Sequence, residues 1–312
     1  MTAVVGRLAP SPTGRLHLGH ARSFLAAWWA SRSAGGRVVL RIEDLDGTRC
    51  KPEWVDDARR DLEWLGLDWD EELVQSSDLE PYLAAVERLL REDAAYACTC
   101  SRRAILAALS APHESGTELR YPGTCARRYA SVEAAEAETG TPAGVRFRVP
   151  EGRHTIDDGL RGRFEADPSA ECGDFLLLRR DGAVAYQLAV VVDDARQGVT
   201  QVVRGDDLLP SAVRQRLLQD ALGLPHPEQL HLPLVVDASG RRLSKRDGDL
   251  ELAEVRARRV DPRRVVAWVA ESLGQDAAGE PLEAAALVPG FDVRHIPLEP
   301  AALDPALFTA GA

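Results

Sequence analysis

The 312-residue chain contains seven histidines, and two of them, His17 and His20, stand three apart around Gly19 in "APSPTGRLHLGHARS". Such a pair can be two ordinary surface side chains, or two imidazole donors aimed at one anion. The surroundings favour the anion. "VVGRLAP" (Val4 to Pro10) reads as a short strand and "PSPTG" as a loop. Phe24, Leu25, Trp28 and Trp29 then recur at helical spacing until Gly35-Gly36. The histidines therefore fall where a loop opens into a helix N-terminus, whose backbone N–H groups and positive dipole end suit phosphate. A glycine between them would let a nucleotide approach the backbone.

A second signal is compositional. Only two of the 38 Lys+Arg residues are lysines, Lys51 and Lys245. A lysine kept where arginine serves almost everywhere else points to a need for a compact, mobile point charge, which the rigid guanidinium fork does not mimic. Lys51, in "RCKPEW", reads as incidental beside a helix start. Lys245, in "GRRLSKRDG", lies in a Gly/Ser/Arg loop after the strand "HLPLVVD" (His231 to Asp237). A third constellation is Cys98, Cys100 and Cys125, a C-x-C followed by a third thiol, which suits zinc. Its fourth ligand is open at this point: His113 would complete a familiar set, and Tyr121, four residues before Cys125, is the unusual choice. Cys50 and Cys172 read as ordinary thiols.

The elements around these residues alternate. "RVVLRIEDLD" (Arg37 to Asp46) is an apolar strand ending in acids, followed by helices over Pro52 to Leu67 and Leu79 to Asp93. That order predicts a doubly wound parallel sheet of the Rossmann type, whose ligands bind at the carboxyl ends of the strands. The pattern breaks at Ala94, and an irregular insert runs to Asp174. "FLLLRRDGAVAYQLAVVVDD" then reads as a hairpin around Asp181-Gly182 entering a buried strand. "GVTQVVRGDDLLP" reads as another strand, with Ser211 capping the helix "AVRQRLLQDALGL". The expected division is 1–93 and 175–250 for the two halves of the α/β domain, 94–174 for an inserted zinc-bearing domain, and 251–312 for a short helical C-terminal region.

Composition bounds the rest. Net charge of −11 with a pI near 5.2 weighs against indiscriminate nucleic-acid binding. It leaves room for local basic faces such as "RARRVDPRR" (Arg256 to Arg264), "RRAILAAL" and "CARR". No run is apolar enough to span a bilayer, no signal peptide is expected, and the odd cysteine count argues against a secreted disulfide framework. A cytoplasmic enzyme, monomeric and without a membrane partner, is the expectation.

"HLGH" at His17 to His20 and "RLSKR" at Arg242 to Arg246 resemble the two signature motifs of class I aminoacyl-tRNA synthetases, usually written HIGH and KMSKS. "RLAPSPTGRLHLGHAR", "RIEDLD", "YQLAVVVDD" and "VVRGDDLLPS" resemble the glutamyl branch, in that branch's order, over about residues 1–250. The resemblance implies that Arg7, Ala9 and Ser11 bind glutamate, with Arg7 on its side-chain carboxylate. It also implies that Glu43 holds the ammonium group, that Tyr186 and Arg204 complete the pocket, and that His17, Gly19, His20, Ser244 and Lys245 embrace ATP. ATP with Mg²⁺ and L-glutamate would then form a glutamyl-adenylate, for attack by an RNA hydroxyl.

Full glutamyl-tRNA synthetases continue into an anticodon-binding domain, whereas roughly sixty residues follow the second motif here. That shortness resembles the glutamyl-Q tRNA(Asp) synthetases, which glutamylate the queuosine base at the wobble position of tRNA(Asp). "CTC…YPGTC" also has that subgroup's C-x-C…Y-x-x-x-C arrangement, and Arg127 stands where longer relatives often carry a histidine. On that resemblance Tyr121 is preferred over His113 as the fourth zinc ligand. The competing expectations are a truncated glutamyl-tRNA synthetase charging tRNA(Glu), an H-x-G-H nucleotidylyltransferase, and a non-catalytic tRNA-binding paralogue.

Overall fold

A computed structural model describes residues 3–108, 119–237, 240, 250–277, 280–303 and 308. The first half runs β1 (Val5–Leu8), α1 (Leu18–Ser33), β2 (Arg37–Ile42), α2 (Pro52–Trp64), β3 (Glu71–Val74) and α3 (Glu80–Arg91). β1, β2 and β3 pair in parallel in that order. β2 is buried from Val38 to Ile42, which is why it reads as a continuous apolar run and not as an alternation. α1 ends where Gly35 takes φ +65, a conformation glycine adopts without a Cβ penalty. β3 is absent from the sequence expectation. Its "EELV" carries two acids and has no apolar pattern of its own, so only pairing with β2 makes it a strand.

The middle of the chain supplies β4 (Ala95–Cys98), α4 (Arg102–Ala108), α5 (Val132–Thr139), β5 (Gly144–Phe147), β6 (His154–Asp158), β7 (Gly162–Ala166), α6 (Pro168–Glu171) and β8 (Leu176–Leu178). β4, β5 and β8 form a small antiparallel sheet. The β6–β7 hairpin instead belongs to a separate sheet, because β6 pairs with the later strand at Glu228–Leu232. The boundary drawn at residue 174 therefore cuts across both sheets: β6 and β7 lie before it, and β8 lies after it.

The remainder is α7 (Tyr186–Arg196), β9 (Gln201–Gly205), α8 (Leu209–Leu222), β10 (Glu228–Leu232), β11 (Val235–Val236), α9 (Leu252–Ala257), α10 (Pro262–Ser272) and β12 (Ala301–Ala302). Two local expectations are corrected. The buried strand expected in "AYQLAVVVDD" is the helix α7, buried from Leu188 to Asp194. A short run apolar on all sides has no periodicity to separate helix from strand, and its β-branched valines bias the reading toward strand. Ser211 is not a cap: α8 starts at Leu209 with Pro210 in its first turn, and Gln187 donates to the Ser211 hydroxyl at 3.0 Å. The turn at Gly182 stands, with φ +82 and a bridge between Leu178 and Val184. Among the described residues of 251–303, α-helix ends at Ser272. Beyond that come single 3-10 turns and β12, which pairs with β11.

The second sheet has the order β7-β6-β10-β9. Its β9 edge abuts β1, where the Thr200 N–H donates to the Val5 carbonyl at 2.9 Å and the Val5 N–H to Thr200 Oγ1 at 2.9 Å. The strands thus progress outward one way from β1 and the other way from β9. A crevice opens beyond the carboxyl ends at such a switch point. Leu8, Leu25, Trp29, Leu40, Val203 and Trp268 belong to the main core, and Tyr82, Phe147, Phe175, Leu188 and Leu218 to a second cluster beside it. Among the described residues no helix is long and apolar enough to cross a membrane.

Candidate active site

A cavity of about 610 Å³ lies at the switch point. Its wall includes Arg7, Ala9 and Ser11 at the end of β1, Glu43 just past β2, Tyr186 at the start of α7, and Arg204 on β9. His17, Gly19 and His20 belong to the same wall. Residues more than 190 positions apart in sequence are therefore brought to one crevice. Ser244 and Lys245, and the alternative ligand His113, lie outside the described residues. Leu250 and Leu252, downstream of Ser244 and Lys245, pair with the chain where it enters α1. Leu18 N–H donates to the Leu250 carbonyl at 3.3 Å, and Leu252 N–H to that of Leu16 at 2.8 Å, so Glu251 lies against His17.

The acidic and basic groups of the wall form one buried network. Ser11 Oγ donates to Glu43 Oε2 at 3.1 Å, and Arg41 Nε donates to Glu43 Oε1 at 3.3 Å. Arg41 Nη1 donates to Asp194 at 2.8 Å and to Gln197 at 3.1 Å. Burial alone would depress the Arg41 guanidinium, but Asp194, Glu43 and Asp193 outweigh it and raise its pKa. Arg7 Nε sits 3.3 Å from Asp194 in an ion pair whose alignment makes no hydrogen bond. Arg204 is held below its usual value by burial, with Tyr186 opposing and Arg7 adding to the depression. Among the described residues, Arg7 Nε and Arg204 Nη1 are buried donors without hydrogen-bond partners. Arg7 Nε still faces the Asp194 carboxylate, whereas Arg204 Nη1 has no partner among the described residues; buried donors are normally paired, so that nitrogen suits an anionic ligand.

The histidines do more than add donors. His17 caps α1: its Nδ1 accepts from the Gly19 N–H at 3.1 Å, and His20 Nδ1 accepts from the His17 N–H at 3.2 Å. With each Nδ1 acting as an acceptor, each neutral ring carries its proton on Nε2. No acidic residue in the first turn of α1 offsets its dipole. The reason for Gly19 also changes. A Cβ there would lie 3.0 Å from His17 Cε1, so the glycine makes room for the folded-back imidazole.

The three thiols converge. The Sγ atoms of Cys98, Cys100 and Cys125 lie within 4.8 Å of one another. Tyr121 reaches the same point, its hydroxyl 3.4 Å from Cys98 Sγ and 3.7 Å from Cys100 Sγ. The Arg146 guanidinium stacks 3.8 Å over the Tyr121 ring, and its Nε lies 3.3 Å from Cys98 Sγ. Of the candidate basic faces, "RARRVDPRR" is largely neutralised: Arg256 pairs with Asp61, Arg258 with Glu254 and Arg263 with Asp261.

The sequence reading missed Arg41, Asp158, Asp194 and His231. A signal existed for Arg41, Asp194 and His231, since each is a charged or polar residue in or at the end of a buried apolar run, where it must find a partner; Asp158, in the polar strand "HTIDD", had none.

A profile described as tRNA synthetases class I (E and Q), catalytic domain, matches residues 3–278. The chain is 45% identical over 305 residues to a glutamyl-Q tRNA(Asp) synthetase of Symbiobacterium thermophilum, covering 95% of this chain and 94% of the relative. It is 47% identical over 294 residues to the protein of the same name in Deinococcus radiodurans, covering 92% and 95%. Among solved structures, a glutamate tRNA ligase of Elizabethkingia meningosepticum in complex with its amino acid superposes with a TM-score of 0.84 at 27% identity. That match covers 98% of this chain and 68% of the ligase.

Proposed function

The chain belongs to the class I tRNA synthetase family of the E and Q type, and from that premise we propose that it activates L-glutamate with ATP and transfers it to the queuosine base at the wobble position of tRNA(Asp). The relatives matched over nearly their full length carry that activity in their name. The observation that carries the glutamate assignment is the cavity wall itself, with the buried guanidiniums of Arg7 and Arg204, Nη1 of the latter unpartnered among the described residues, and a buried carboxylate on Glu43. Two carboxylates and one ammonium complement that arrangement.

In this reading Arg7 takes the side-chain carboxylate, Arg204 and Tyr186 complete the pocket, Glu43 binds the ammonium group, and Ala9 and Ser11 line its floor. The His17 and His20 Nε2–H groups and the N-terminus of α1, with Ser244 and Lys245, hold the phosphates of ATP, and Mg²⁺ enters with the nucleotide. The substrate α-carboxylate oxygen attacks the α-phosphorus and pyrophosphate leaves. A hydroxyl of the acceptor then attacks the adenylate carbonyl and AMP leaves. No protein nucleophile is required; the chain contributes positioning and charge stabilisation.

The test is exchange of pyrophosphate into ATP, expected only when glutamate is present. Lys245→Arg is expected to keep the fold and lower that exchange about tenfold or more, some 1.4 kcal/mol of transition-state stabilisation. Exchange without glutamate sinks the substrate assignment, and a variant running at the parent rate removes the special role of this lysine.

The cysteine cluster supports a structural zinc site held by Cys98, Cys100, Cys125 and Tyr121. The donor set fits: three thiols and a phenol oxygen meet at one point among buried or half-buried side chains. Bound zinc would tie β4 to the irregular segment carrying Tyr121 and Cys125. Metal analysis of protein purified without chelators is expected to find one zinc per chain, and Tyr121→Phe to weaken its retention against a chelator. A folded, zinc-free protein overturns the site. Unchanged retention in Tyr121→Phe excludes Tyr121 as a ligand.

A further inference from the structure

Arg204 is gripped from behind by two buried side chains. His231 Nδ1 lies 2.6 Å from Asp158 Oδ2, and Arg204 Nε donates to His231 Nε2 at 2.9 Å. Three adjacent strands each supply one member: Asp158 from β6, His231 from β10 and Arg204 from β9. The Asp158 and His231 side chains are fully buried. Arg204 Nη2 donates to Gln229 Oε1 at 3.2 Å, which leaves Nη1 as the nitrogen without a partner among the described residues.

The bond directions assign the proton on the ring. An arginine in a protein does not give up its proton, so Arg204 Nε–H must meet a lone pair on His231 Nε2. The ring proton therefore sits on Nδ1 and is donated to Asp158. Asp158 is held as an acceptor by the backbone as well: its Oδ1 accepts from the N–H groups of Leu160, Arg161 and His231 at 3.0, 2.8 and 3.3 Å. Burial pushes His231 toward its neutral form; Asp158 opposes this and the Arg204 charge reinforces it.

We propose that Asp158 and His231 are positioning residues for amino-acid binding, setting the plane of the Arg204 guanidinium so that Nη1 is presented to a carboxylate of the substrate. The inference rests on reading Arg204 as a glutamate-binding residue. Neither Asp158 nor His231 is in the cavity wall, so the effect passes through Arg204 to the amino acid and leaves ATP binding alone.

Asp158→Asn tests it with almost no change of shape. Three backbone N–H groups claim the asparagine carbonyl oxygen, so its NH₂ faces His231 Nδ1. The ring must then carry its proton on Nε2, opposed to Arg204 Nε–H. Nitrogen NMR of histidine-labelled protein is expected to show an Nδ1–H ring at His231 in the parent and an Nε2–H ring in the variant. Calorimetry is expected to show glutamate binding weakened about tenfold or more, with ATP binding unchanged. An Nε2–H ring in the parent overturns the proposal whether or not the variant folds, as does a folded variant that binds glutamate at parental strength. A parent with the Nδ1–H ring that binds no glutamate overturns the substrate assignment instead.

Discussion

Labelled glutamate is expected to pass to tRNA(Asp) that carries queuosine, and to neither queuosine-free tRNA(Asp) nor tRNA(Glu). The chemistry of the first step is the same for either acceptor, so selectivity must lie in what reaches the adenylate. A second cavity of about 440 Å³ shares Ser11, Thr13, Glu43 and Tyr186 with the first and continues past Asp46, Arg49 and Arg179. A single-stranded loop can splay a modified base into such a space, and queuosine offers hydroxyls where a terminal ribose would otherwise supply one. An anticodon stem-loop lacking the acceptor end is therefore expected to remain a substrate. Charging of tRNA(Glu), with the label lost once its terminal adenosine is oxidised, would replace this reading with a glutamyl-tRNA synthetase.

Arg7→Met is expected to lower kcat/KM for glutamate in pyrophosphate exchange about a hundredfold, with KM for ATP nearly unchanged. A hydrogen-bonded charge pair contributes roughly 1.5–3 kcal/mol, or about one to two powers of ten. The fold is expected to survive, because Asp194 keeps its 2.8 Å bond from Arg41 after Arg7 is gone. The variant should also lose discrimination between glutamate and glutamine, since the lost partner is the one that rewards a negative charge. Parental discrimination in a folded variant would move the side-chain carboxylate away from Arg7 and make Arg204 the next candidate to hold it.

The sequence by itself determined the parts whose chemistry is local. His17, Gly19 and His20 are legible because a loop, a glycine and the start of an apolar helix surround them. Cys98, Cys100 and Cys125 are legible by type and spacing, while Tyr121 joins them as an expectation only through the family resemblance. The parallel α/β architecture is legible because β2 is buried on both faces and strands and helices alternate around it. Tertiary structure alone decided the rest. β3 and α7 have no periodicity of their own, and packing made one a strand and the other a helix. Gly19 looked like room for a nucleotide, and the folded-back His17 ring occupies that room. Arg41, Asp194 and His231 were not legible as site residues because a polar group in an apolar run shows only that a partner must exist, and Asp158 lay in a polar strand that gave no such sign. Which partner it meets is fixed by strand order, since β6, β10 and β9 become neighbours only when the sheet assembles.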